Sequence, residues 1–144
     1  MRVISIIGHS NSGKTTLIKK LVPELTKFGR VGCVKHAGHH IFALPKGKDT
    51  TIHFEAGADC GAGIDAEKTC FTLRGTDLYT VLDFYAFMGF DYAVVEGFKK
   101  SGFACVSLGD LKTNRDLLHN PGVEEIVEAR DLFDEYVSSR GKNS

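Results

Sequence analysis

The chain has 144 residues, 42% of them apolar and 25% charged, which suits one domain with a sizeable hydrophobic core. Eighteen basic residues balance eighteen acidic ones, so no net field draws the protein to nucleic acid or to an anionic membrane, and neither is expected as a partner. No stretch approaches the roughly 20 apolar residues that span a bilayer, and Met1-Arg2-Val3 enters the first strand without a cleavable apolar segment, so the expected location is the cytoplasm.

Val3-Ile4-Ser5-Ile6-Ile7 is a short β-branched run of buried-strand type. Directly after it, Gly8-His9-Ser10-Asn11-Ser12-Gly13-Lys14-Thr15 forms a complete Gly-x4-Gly-Lys-Thr phosphate loop. Leu17, Ile18, Leu21, Val22 and Leu25 then recur at helical spacing, so the motif sits between a strand and a helix, as its chemistry requires. A polyphosphate is held by backbone N–H groups that a glycine-rich turn aims inward, and Gly8 and Gly13 give that turn its freedom. Lys14 reaches toward the β and γ phosphates, Thr15 offers a hydroxyl to Mg²⁺, and the helix N-terminus adds its partial positive charge. The chain is expected to bind a nucleotide.

The helix ends near Lys27, Phe28 and Gly29, and Val31-Gly32-Cys33-Val34 reads as a second strand. From His36 to about Asp49 the chain is rich in histidine, glycine and lysine, has no period, and is too long for an ordinary βα connection, which marks it as functional. Residues 50–58 read as a short helix ending at Gly57, followed by short strands over Gly61 to Asp65 and Thr69 to Leu73. Thr76 and Asp77 look like an N-cap and first turn for a helix with a stripe of Leu78, Val81, Leu82 and Tyr85, stopping at Gly89. The aromatic residues Phe84, Tyr85, Phe87 and Phe90 are read as mostly core from their helical spacing.

Tyr92-Ala93-Val94-Val95 is the next strand, with Glu96-Gly97 at its carboxyl end. Ligands of open α/β sheets bind at the carboxyl ends of strands, so Glu96 is expected on the side of the phosphate loop, to hold Mg²⁺ or polarise a water. Further strands are read at Ala104 to Leu108 and Glu125 to Val127, and a last helix begins at Asp131 with Leu132, Phe133, Tyr136 and Val137 on one face. The sum is an α/β fold of P-loop NTPase type, a mainly parallel sheet of about seven strands flanked by helices. It is expected as a single domain over residues 1–137, with a polar tail over 138–144. Cys33, Cys60, Cys70 and Cys105 include no Cys-x-x-Cys pair and are expected as four reduced thiols.

Three segments in this order resemble the molybdopterin-guanine dinucleotide biosynthesis adaptor proteins, the MobB family. They are the phosphate loop Gly8 to Thr16; Val34-Lys35-His36 with Gly47-Lys48-Asp49-Thr50 and His53-Phe54-Glu55-Ala56-Gly57-Ala58; and Val95-Glu96-Gly97-Phe98-Lys99. The resemblance implies a small homodimeric P-loop protein that binds GTP with Mg²⁺ and hydrolyses it slowly. It would assist the guanylyltransferase that attaches GMP to molybdopterin, with molybdopterin itself a further candidate ligand. By matching position, Gly8, His9, Ser10, Asn11, Ser12, Gly13, Lys14, Thr15 and Thr16 would bind phosphates. Thr15, with Asp49 or Glu96, would organise Mg²⁺, and Lys35, His36 and Lys48 would line the ligand-facing loop. Lys14 supplies charge for phosphoryl transfer, and Glu96 and His36 are the candidates to position the attacking water. The chain departs from the family at His39-His40-Ile41-Phe42-Ala43 and at Phe54, where acidic residues and an arginine are common.

Two local patterns carry alternatives. His36, His39 and His40 could bind zinc or nickel, but no fourth ligand is evident, and a phosphate-facing or pterin-facing histidine is favoured. Thr113-Asn114-Arg115-Asp116 partly matches the Thr-Lys-x-Asp guanine-recognition motif of GTPases, with asparagine in place of lysine; a polar loop leading to Leu117-Leu118 is favoured. Two rival functions stay open at this stage: a nickel-insertion-type metallochaperone GTPase, and a small-molecule kinase in which Arg74 and Arg115 could serve.

Overall fold

The computed structural model describes residues 1–38, 40–75 and 77–138. The N-cap expected at Thr76, His39 of the histidine group and positions 139–144 of the polar tail lie outside the described residues. In chain order the elements are β1 (Arg2–Gly8), α1 (Lys14–Leu25), β2 (Val31–Lys35), α2 (Asp49–Glu55), β3 (Cys60–Ile64), β4 (Thr69–Leu73), α3 (Leu78–Phe87), β5 (Tyr92–Glu96), β6 (Cys105–Leu108), β7 (Asp116–His119) and α4 (Val123–Glu128). They group into two compact units, Met1–His36 with Leu78–Ser144, and Ala37–Asp77. No described helix is long and apolar enough to cross a membrane.

The first unit is built on a five-stranded sheet in the order β2-β5-β1-β6-β7, with every pairing parallel. The alternation along β1 explains its two cores. Ile4 and Ile6 join Leu21, Leu25, Val94, Val106, Ile126 and Phe133 in one buried cluster, whereas Val3 joins Leu78, Leu82, Ala93 and Val95 in the other. A strand covered on both faces has no polar side to show, and this is why the β1 and β5 runs are nearly continuous in apolar residues. The chain leaves β1 toward β2 and later crosses to the other side of β1 for β6 and β7. The winding therefore reverses at β1, whose carboxyl end carries the phosphate loop.

The second unit consists of α2 and an antiparallel hairpin of β3 and β4. The hairpin turn is held by the Asp65 carboxylate, which accepts from the N–H groups of Glu67 and Lys68, both at 2.8 Å. Within the unit the Arg74 guanidinium lies 4.0 Å over the Phe54 ring and donates to the carbonyls of Ala58 and Phe54. One hairpin face carries Cys60, Ala62 and Ile64 opposite Leu73, Phe71 and Thr69, with Ile64 81% and Phe71 59% exposed.

Four expectations are corrected. Among the described residues there are seven strands, but only five form the parallel sheet. The link from β3 to β4 is a tight turn, and so short a link can join only antiparallel strands. Glu125 to Val127 is helix, not strand. Pro121-Gly122 breaks the chain, the Glu125 carboxylate accepts from the Gly122 N–H at 2.7 Å, and Glu124 and Glu125 place negative charge on the first turn. The strand in that region is instead β7. The helix expected from Asp131 is only a 3-10 turn, Arg130–Leu132. The chain then runs extended, because β1 begins before β6 can pair with it. The Val3 N–H donates to the Asp134 carbonyl at 2.9 Å and the Tyr136 N–H to the Met1 carbonyl at 2.7 Å, while Glu135 bridges Arg2. The aromatic group also divides: Tyr85 packs on Phe90 with centroids 5.2 Å apart, whereas Phe84 and Phe87 are exposed.

Candidate functional site

The phosphate loop turns directly out of β1, and its two glycines serve different ends. A Cβ on Gly8 would lie 2.3 Å from Ser12 Oγ and 3.2 Å from the Leu108 carbonyl oxygen, so that position is glycine for space. Gly13, with φ 87°, is glycine for conformation and forms the N-cap of α1. Asn11 holds φ 61°, which asparagine tolerates better than most residues. Helix α1 has neither a side-chain cap nor an acidic residue in its first turn. The first-turn N–H groups and the positive end of the helix thus face the loop without a side chain to neutralise them, an arrangement suited to an anion.

Lys14 folds back over the loop. Its ammonium donates to the carbonyls of His9 at 2.6 Å and Gly8 at 3.1 Å and to Ser12 Oγ at 3.5 Å. His9, Ser10, Asn11 and Thr16 are exposed around it. One residue on, Thr15 Oγ1 donates to Glu96 Oε1 at 3.2 Å, and Lys35 Nζ lies 3.5 Å from the same oxygen. Sheet register makes this meeting possible, since Lys35 is the direct partner of Glu96 across β2 and β5, and Ile6 is its partner on β1. Glu96 itself is only 9% exposed. The strand end is fixed by the Gly97 N–H donating to the Ile6 carbonyl and the His36 N–H donating to the Glu96 carbonyl, both at 2.9 Å. Gly97 and Phe98 both hold positive φ, 88° and 51°, and the Phe98 ring lies 4.8 Å from that of His36. Glycine adopts this region freely, whereas Phe98, a bulky residue in the left-handed region at the end of a buried strand, is in a costly geometry of the kind concentrated at functional sites.

The structure therefore brings Lys14, Thr15, Glu96, Lys35 and His36 together at the carboxyl ends of β1, β2 and β5. Lys48 and Asp49 belong to the second unit, as the N-cap and first residue of α2. His40 is also in that unit, and among the described residues no three His, Cys, Asp or Glu side chains group to hold a metal. The Thr113 to Asp116 segment lies at the opposite end of the sheet, where β7 begins. Its Asp116 carboxylate is turned onto Ser107 Oγ at 2.7 Å, Thr113 Oγ1 at 2.8 Å and Cys105 Sγ at 3.4 Å. Burial pushes this carboxyl up, but the hydrogen bonds more than offset it and hold it below the usual aspartate value. The segment anchors β7 and does not face the phosphate loop. Arg115 is likewise committed, to the Gly102 carbonyl and Asp134, each below 3.0 Å. A cavity of about 150 Å³ is lined by Ser5, Phe98, Phe103, Cys105, Thr113 and Arg115 among others, and no phosphate-loop residue lines it.

Sequence reasoning missed the polar chain at the ends of β6 and β7. Ser107 Oγ contacts His119 Nδ1 at 2.8 Å, His119 Nε2 faces Asn120 Nδ2 at 3.0 Å, and Asn120 grips the Gly109 peptide. Its one advance signal is the turn chemistry of Asn120-Pro121-Gly122.

Residues 3–128 match the family described as molybdopterin guanine dinucleotide synthesis protein B, MobB. The molybdopterin-guanine dinucleotide biosynthesis adapter protein of Haemophilus influenzae is 32% identical over 133 residues, covering 88% of this chain and 72% of that protein. Among solved structures, Bacillus subtilis MobB is 31% identical with a TM-score of 0.65, over 85% of this chain and 76% of that one. A MobB homologue from Bacillus stearothermophilus is also 31% identical, with a TM-score of 0.58, over 75% of this chain and 63% of that one.

Proposed function

The chain belongs to the MobB family, and from that premise we propose that it is a GTP-binding accessory protein of molybdenum cofactor biosynthesis that serves the molybdopterin guanylyltransferase. The observation that carries the reading is the convergence of Thr15, Glu96 and Lys35 beside a complete phosphate loop. In this reading Lys14 exchanges the carbonyls of Gly8 and His9 for the β and γ phosphates, and the first-turn amides of α1 complete the cradle. The Thr15 hydroxyl and the Glu96 carboxylate are hard oxygen donors, 3.2 Å apart, that fit Mg²⁺. When bound there, Mg²⁺ supplies neutralising charge to the phosphate oxygens. Lys35 keeps Glu96 in place, and Glu96 and His36 are the groups available to orient a water. None of these residues is a strong base paired to a nucleophile, so the activity is a weak GTPase at most, and the nucleotide is held for, or handed to, the guanylyltransferase.

The test is competition between GTP and ATP for the full chain with Mg²⁺, followed by the effect of the chain on guanylyltransfer by the partner. Expected are a clear GTP preference and faster dinucleotide formation. Equal binding of ATP moves a small-molecule kinase ahead, and intrinsic hydrolysis well above about 1 s⁻¹, within the ordinary enzyme range, overturns the accessory role.

The same reading includes a cytoplasmic location and a homodimer. The dimer is supported by the exposed apolar hairpin face, with Ile64 81% and Phe71 59% exposed on paired strands. Phe71→Glu is expected to turn a dimeric mass in light scattering into a monomeric one; an unchanged mass removes this face from the contact.

A further inference from the structure

The turn after β6 abuts the phosphate loop. Gly8 is the register partner of Leu108, and a Cβ placed on Gly109 would lie 3.8 Å from Ser12 Cβ. That turn is clamped from β7. The Gly109 N–H donates to Asn120 Oδ1 at 2.7 Å, and Asn120 Nδ2 donates to the Gly109 carbonyl at 3.3 Å. Asn120 adopts φ 49° and Gly109 φ 70°, a left-handed conformation that these two residue types accept more readily than others. Its root is the fully buried Ser107, whose hydroxyl donates to Asp116 and meets His119 Nδ1. Beyond the Asn120 Nδ2 contact with His119 Nε2 at 3.0 Å, the Asn120 side chain thus bonds both peptides that flank Gly109, through the N–H of the Leu108–Gly109 peptide and the carbonyl of the Gly109–Asp110 peptide. The residue that peptide carries forward, Asp110, is exposed and makes no hydrogen bond or ion pair among the described residues.

The direction of the nucleotide follows from the charged centre. Thr15, Glu96 and Lys35 mark the metal and terminal-phosphate end on the β5 and β2 side of β1. A triphosphate runs through the loop as a chain, so the nucleoside leaves on the opposite side, over the carboxyl ends of β6 and β7. Adenine and guanine differ in the edge they present there. Guanine offers two adjacent donors, N1–H and the exocyclic amine, whereas adenine offers an unprotonated N1 whose lone pair would face a carboxylate.

We propose that Asp110 is the base-reading residue of this site: its carboxylate accepts both guanine donors, and the Asn120 clamp on Gly109 sets its position. The inference rests on the guanine-nucleotide reading above and adds the residue that enforces it. The partial guanine-recognition motif in the sequence ends at Asp116, at the wrong end of β7; Asp110 stands at the carboxyl end of β6, beside the loop.

The test is calorimetric titration of the full chain with Mg²⁺ and, in turn, GTP, ATP, inosine triphosphate and xanthosine triphosphate. Wild-type protein is expected to favour GTP over xanthosine triphosphate by about tenfold to 100-fold, the range of a lost bidentate base contact. Asp110→Asn is expected to reverse that order, because the amide can donate to the carbonyl that xanthine carries in place of the amine. An Asp110→Asn protein that keeps the wild-type ratio overturns the assignment and leaves the guanine reading standing. Wild-type protein that binds ATP as tightly as GTP overturns both. Asp110→Ala gives a second route: it is expected to bind GTP and inosine triphosphate alike, where wild type prefers GTP for its amine, and an unchanged preference in the variant overturns the assignment.

Discussion

Lys14→Ala is expected to weaken nucleotide binding by about 100-fold or more, the equivalent of two charge-assisted hydrogen bonds. The ammonium lies within 3.1 Å of two loop carbonyls, at the place where a bridging phosphate must be neutralised. Alanine removes that charge and leaves the rest of the cradle intact, since the turn is set by the φ of Gly13 and the packing of Gly8. The carbonyl of His9, on an exposed residue, can turn to water, so folding stability is expected to change by no more than about 0.5 kcal/mol. Titration calorimetry with GTP and Mg²⁺ measures the first effect, and thermal unfolding without nucleotide measures the second. Affinity within fivefold of wild type would show that the loop amides alone hold the phosphates.

Glu96→Gln separates the charge of the strand-end carboxylate from its shape. Glutamine still accepts the Thr15 hydroxyl hydrogen bond, and the Lys35 ammonium it leaves unpaired is 58% exposed, so little stability is at stake. What disappears is the negative oxygen beside Thr15. The expected result is that Mg²⁺ tightens GTP binding by the wild type but hardly affects binding by the variant, with metal affinity down by about 10- to 100-fold. Slow GTP hydrolysis is expected to fall with it. Titrations with Mg²⁺ and with a chelator read the difference directly. Equal Mg²⁺ dependence in the variant and the wild type would reduce Glu96 to a structural partner of Lys35.

The two halves of this site were not equally legible. The phosphate loop announces itself, because its residues are contiguous and its flanks, a β-branched run and a stripe from Leu17 to Leu25, are themselves readable. Glu96 was legible too, as the first acid after a buried strand. The meeting of Lys35 with Glu96 was foreseeable only in outline, since which strands lie side by side is decided by packing: nothing in the sequence says that β5 inserts between β1 and β2. The same gap misplaced β3 and β4, whose local pattern reads as strand whether they join a parallel sheet or form a hairpin apart. At the C-terminal end, apolar spacing misled twice. Ile126-Val127 has strand character, yet Gly122 and Glu125 start a helix there. Phe133 and Tyr136 have helical spacing, yet the backbone donors of β1 draw that segment into extended pairing.

The central strand pairs with partners far along the chain: Ile4 lies beside Val94, and Ser5 beside Cys105. On a ribosome adding about 5–20 residues per second, the wait between making β1 and making either neighbour is roughly 5 to 20 seconds. For that interval one of the most apolar segments of the protein has two open edges, and the nascent chain is a natural client for holdase chaperones. A polypeptide halted before Glu96 would carry the whole phosphate loop as sequence without the carboxylate that Thr15 bonds.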